Sequence, residues 1–177
     1  MFYLTDSSIF RRYIGDRVNS LCGKVTTEIP GSISSLELDM LIKFEKGNIR
    51  FKSDRCDGMF ENEDGDMFYD YEIEMKESGD LAGRETAMFK TSEISRIDVY
   101  GRDFNDQEFI QYPQAYQKVK GLKRTDDLFM FTSVRDERLM IVFGPFLPRI
   151  DAKYDSRYIE MFWKQFGERY TLHHTIE

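Results

Sequence analysis

The chain is poor in alanine, proline, cysteine and histidine, and each scarcity excludes something. Four alanines (Ala82, Ala87, Ala115, Ala152) among 177 residues argue against long helices carried by propensity alone. The two cysteines, Cys22 and Cys56, match no zinc or redox spacing, and two free thiols are the plainer reading over a disulfide. The two histidines, His173 and His174, stand close to the end of the sequence, where the tail 171–177 is expected to fray. A frayed tail cannot preorganise a catalytic base. The longest apolar run, Leu139 to Leu147, is broken by Gly144 and Pro145 and falls far short of the ~20 residues of a bilayer helix, so no membrane span is expected. The opening MFYLTDSSIFRR has no basic stretch followed by an apolar one, which leads us to expect a cytoplasmic protein without a secretory leader. No G-x-S-x-G elbow, Walker loop or dinucleotide glycine pattern occurs, and no cofactor is implied.

Apolar and aromatic side chains are plentiful. The chain is 41% hydrophobic and 15% aromatic, with 15 Phe and 10 Tyr, enough for one core in one domain spanning 1–177. That aromatic weight leans toward strands.

Charge is unevenly distributed. The chain carries 25 basic and 32 acidic side chains, net −7. Residues 57–80 hold ten acids (Asp57, Glu61, Glu63, Asp64, Asp66, Asp70, Glu72, Glu74, Glu77, Asp80) against one base, Lys76, while the rest of the chain is near balance. The acidity therefore belongs to one segment. Its field repels phosphates, which argues against nucleic acid binding at this segment, and attracts a basic protein surface or a cation.

Hydropathy periods give the element order. Asp6 or Ser7 can cap a helix over 7–21, in which Ile9, Phe10, Tyr13, Ile14, Val18 and Leu21 recur at helical spacing and which Gly23 can end. Strands follow at 24–29, then a hairpin over 35–54 in which Leu36, Leu38, Met40, Ile42 and Phe44 face one side and Lys46-Gly47-Asn48 makes the turn. A polar loop over 56–66 leads into an alternating strand over 67–76, with Asp70, Glu72 and Glu74 on one face. Further strands are expected at 85–90, 94–100, 109–112, 127–134 and 139–143, with a helical turn at 114–120. Asp155 or Ser156 can cap a last helix with the stripe Ile159, Phe162, Trp163, Phe166 and Tyr170. The fold class is α+β: a mostly antiparallel curved sheet or partial barrel of about nine strands, with an N-terminal and a C-terminal amphipathic helix.

Specific chemistries fit poorly. An EF-hand register with Gly65 at position six puts Phe60 at one and Tyr71 at twelve, so both ends fail. Glu74-Met75-Lys76 with an upstream Asp57 or Asp66 resembles the spacing of Mg²⁺-dependent nucleases, but the helix that usually supports such a site is missing and the local field opposes a phosphate backbone. Lys118, Lys120, Lys123 and Arg124 form the one basic cluster and read as a solvated run. Tyr69, Tyr71, Met67, Met75, Met40 and Phe44 are either core or the lining of a ligand cavity.

The reading that absorbs the charge best is a non-enzymatic binding protein, of inhibitor, immunity or anti-defence type, that docks a basic partner. Asp57, Glu61, Glu63, Asp64 and Asp66 supply the field, Met59 and Phe60 the apolar anchor, and Asp70, Glu72 and Glu74 extend the patch along a strand. The alternatives are a small-ligand-binding barrel, a metal-dependent enzyme using carboxylates, and a structural component of a larger assembly.

Overall fold

The computed structural model describes residues 7–29, 32–54, 70–76, 84–86, 90–103, 124–143 and 149–177. It is mostly antiparallel sheet and broadly α+β, and among the described residues the sheet does not close into a barrel. In chain order the described elements are α1 (Ser8–Arg11), β1 (Val18–Ile29), β2 (Ile33–Phe44), β3 (Asn48–Asp54), β4 (Asp70–Lys76), β5 (Arg84–Thr86), β6 (Ile94–Asp103), β7 (Arg124–Ser133), β8 (Arg138–Phe143), β9 (Arg149–Lys153), α2 (Ser156–Phe166) and β10 (Thr171–Ile176).

The sheet forks at β2. Ile33 to Glu37 pair with β9, and Asp39 to Lys43 pair with β3 along the same edge, while β1 lies on the other edge. From β9 the sheet continues through β8, β7 and β6 to β10; from β3 it continues to β4. The two branches face each other across the core. Phe51 of β3 stacks on Phe129 of β7 and Phe143 of β8 at centroid distances of 5.2 and 5.4 Å. Phe10 of α1 meets Phe129 and Phe131 at 5.3 and 6.2 Å. At one end the roll is drawn together by backbone bonds from Gly15 N to Ile94 O (2.8 Å), Ile94 N to Asp16 O (2.7 Å) and Thr91 N to Val18 O (3.1 Å).

Strands β7 and β8 are buried on both faces, which explains their unbroken apolar runs. Phe129, Phe131, Leu139, Ile141 and Phe143 enter the main core, whereas Leu128, Met130, Met140 and Val142 lie under α2. The expected last helix forms, with Asp155 as its cap: its carboxylate accepts from Arg157 N at 2.9 Å. Ile159, Phe162 and Trp163 cover the second cluster, and Tyr170 joins it from beyond a short 3₁₀ turn at Gly167–Arg169.

The expected helix over 7–21 is corrected to a single turn followed by strand. Gly15 adopts φ 76°, a left-handed conformation that ends the helical path. From Val18 onward β-branched residues favour extension. A bulge between Val18 and Ser20 places Val18 and Leu21 in the same core cluster, so a strand imitates a helical step of three. Gly23 lies inside β1, where a Cβ would stand 2.5 Å from Leu36 Cδ2 and 2.7 Å from Asp39 O. The 35–54 hairpin forms, with Ile42 opposite Ile49 and Leu36, Met40, Ile42 and Phe44 buried.

Ten strands are described: eight of the nine expected, the ninth (109–112) being outside the described residues, together with β9 and β10, which were not foreseen. β9 (RIDAK) is five residues long and three of them are charged, so its period is faint. The tail expected to fray is β10, paired antiparallel with β6. Cys22 is buried and forms no disulfide; Cys56, the strand expected at 109–112 and the turn at 114–120 lie outside the described residues.

Candidate functional site

Of the acidic segment, Asp70, Glu72 and Glu74 are placed on β4. Asp57, Met59, Phe60, Glu61, Glu63, Asp64 and Asp66 lie outside the described residues. Among the described residues β4 has one neighbour, β3, so it stands at a sheet margin. The register between them sorts the acids. Glu72 is directly opposite Lys52, and Glu74 is opposite Arg50. Arg50 in turn makes a forked pair with Asp39 of β2, at 2.8 and 2.5 Å. Asp70 is opposite Asp54. Opposite charges facing each other across a ladder stabilise it, and like charges destabilise it. Within this described pairing the register thus sets like charge opposite like only at the Asp54/Asp70 end, and opposite charges at the two positions that follow on the same face. Ile73 and Met75 pair with Phe51 and Ile49, both buried in the core, so the apolar and acidic faces alternate as the period requires.

A second polar cluster lies at the far end of β6, β7 and β10. Two bulges build it. The β10–β6 register skips His173, and the β6–β7 register skips Asp127, both next to the Tyr100–Gly101 step of β6. Bulges re-aim side chains out of strict alternation. Gly101, paired with Thr171 on one side and Asp126 on the other, has no side chain to separate them. His173 Nδ1 lies 2.6 Å from Asp126 Oδ1, and Nε2 lies 3.3 Å from Asp103 Oδ1. Asp126 is fully buried and the His173 side chain is 4% exposed. Beside them Arg102 donates through Nε and Nη2 to Asp127 Oδ2 at 2.9 and 2.7 Å. Burial pushes the Asp127 carboxyl up despite the opposing Arg102 guanidinium. Burial, with the Asp127 charge adding to it, pushes the Tyr170 hydroxyl up to about 12.

The expectation that His173 is floppy is thus overturned. The period of the tail gave no sign of it, because the partner Asp126 is 47 residues away in sequence. The one available signal was THHTIE itself, rich in β-branched residues and therefore strand-forming. Chemically, an imidazole fixed by a buried carboxylate has the orientation a base needs. Its ring is sealed, however, and what the contact does is tie β10 to β6 and to β7. Thr175 Oγ1 adds a second tie, donating to Asp98 Oδ1 at 2.8 Å.

Among the described residues no group of three His, Cys, Asp or Glu side chains is suited to a metal ion, and no helix is long and apolar enough to cross a membrane. Met40 and Phe44, candidates for a cavity wall, belong to the packed core, where Phe44 lies 4.3 Å from the Tyr13 ring. No family model, curated protein or solved structure matches the chain.

Proposed function

We propose that this chain is a non-enzymatic binding protein that docks a basic protein surface through its acidic segment. The observation that carries the reading is the concentration of ten acids within residues 57–80, which leads into a strand at the sheet margin. The β3–β4 register refines the surface. Asp57, Glu61, Glu63, Asp64, Asp66 and Asp70 supply the attracting field and Met59 and Phe60 the anchor, while Glu72 and Glu74, facing Lys52 and Arg50, serve the ladder first. A partner that brings lysines or arginines to the Asp54/Asp70 end would relieve a like-charge pairing as it binds. The proposed action is steric cover of a basic functional surface, as an inhibitor or immunity protein acts.

The test is capture from host lysate at low and high salt, beside a variant carrying Glu61→Lys, Glu63→Lys, Asp64→Lys and Asp66→Lys. A basic protein held at low salt, weakened at high salt and lost in the variant is the expected result. A partner retained equally by the variant would overturn the proposal. Asp70→Asn should weaken capture without lowering stability, whereas Glu74→Gln should do the reverse.

A further inference from the structure

We propose that His173 is a proton-operated latch that holds β10 on the sheet in acid and loosens it as pH rises. The ring stands between carboxylates from two strands. Nδ1 lies 2.6 Å from Asp126 Oδ1 of β7, reached across β6 where Gly101 has no side chain. Nε2 lies 3.3 Å from Asp103 Oδ1 of β6. Nε2 is buried, and among the described residues it makes no hydrogen bond. Bulk water is kept from it, and the group it faces is an acceptor.

The proton count follows from that geometry. A carboxylate only accepts, so Nδ1 keeps its hydrogen for Asp126. A neutral ring then turns a bare lone pair toward the Asp103 carboxylate and leaves a buried polar atom unsatisfied. A second proton makes Nε2 a donor, and the cation bridges β7 and β6 through charge-assisted bonds. The charged neighbours fit this reading. Arg124 is opposite Asp103 in the β6–β7 register, Arg102 is forked to Asp127, and Asp98 accepts from Thr175. Helix α1 also packs against β10, and its Arg11 is exposed. On β10 itself the adjacent titratable group is His174. A proton favoured by the folded arrangement contributes stability in acid, and that contribution is lost as the ring deprotonates with rising pH.

Amide exchange along Thr171–Ile176 tests this, measured from about pH 5 to about pH 8, the span in which an imidazole changes charge. After correction for the intrinsic base catalysis of exchange, protection of β10 should fall about tenfold with rising pH, the contribution of one charge-assisted hydrogen bond. The β7–β8 ladder should keep its protection. The Asp103 side chain is 58% exposed, so Asp103→Asn should fold as the wild type does. Its amide can donate to a bare Nε2, so protection at the alkaline end should be kept and the fall lost. His173→Gln should also abolish the fall, and His174→Gln should preserve it. Wild-type protection that does not change with pH, the same fall in Asp103→Asn or His173→Gln, or its loss in His174→Gln overturns the proposal.

Discussion

Individual carboxylates in this protein do opposite things to stability as pH changes. Glu137, at the β7–β8 turn, accepts from Ser92 N at 2.7 Å, Ser92 Oγ at 2.6 Å and Ser133 Oγ at 2.9 Å. The Ser92 bonds, chiefly, hold its carboxyl below the ordinary 4.5. A carboxylate so lowered stabilises the fold above its ordinary value, and the contribution is lost as pH falls through the folded value. Asp127 runs the other way. Its raised carboxyl contributes fully below the ordinary 3.8 and loses that contribution as pH rises through the folded value. Glu137→Gln should therefore cost about 1 kcal/mol at neutral pH, and the gap to wild type should close in acid. Urea midpoints measured at a series of pH values check both magnitude and direction.

At the scale of elements, bulges decide more than periods do. The bulge near Val18 gives a strand the apolar spacing of a helix, and the bulge at His173 turns a surface-looking histidine inward. The second has a measurable consequence. Removing the ring leaves the fully buried Asp126 without the imidazole it faces at 2.6 Å. His173→Ala should cost about 2 kcal/mol and speed amide exchange along β10, while the β7–β8 ladder stays protected. Unchanged exchange along β10 would mean that the Asp126 contact holds nothing. By contrast, α2 follows its local signals closely, because Asp155 caps it and its stripe matches the helical period.

At the scale of the whole molecule, stability rests on the aromatic contact between the two branches of the sheet. Phe129 touches rings from α1, β3 and β8, at 5.3, 5.2 and 5.9 Å. Phe129→Ala opens a cavity where no single element can collapse to fill it, and should cost about 3–5 kcal/mol in denaturant titrations. An ordinary surface-scale loss would mean that the branches do not depend on each other. The sequence by itself determined the sheet-rich α+β class, the 35–54 hairpin, the β7–β8 pair, the capped last helix and the location of the negative charge. Each of these follows from neighbours within a few residues, through period, turn chemistry or composition. Only the tertiary structure decided the fork at β2, the strand character of 18–23 and 171–176, and the meeting of His173 with Asp126. Those depend on pairings between residues far apart in the chain, where register and bulges choose the face each side chain takes, and local periodicity carries no record of the partner.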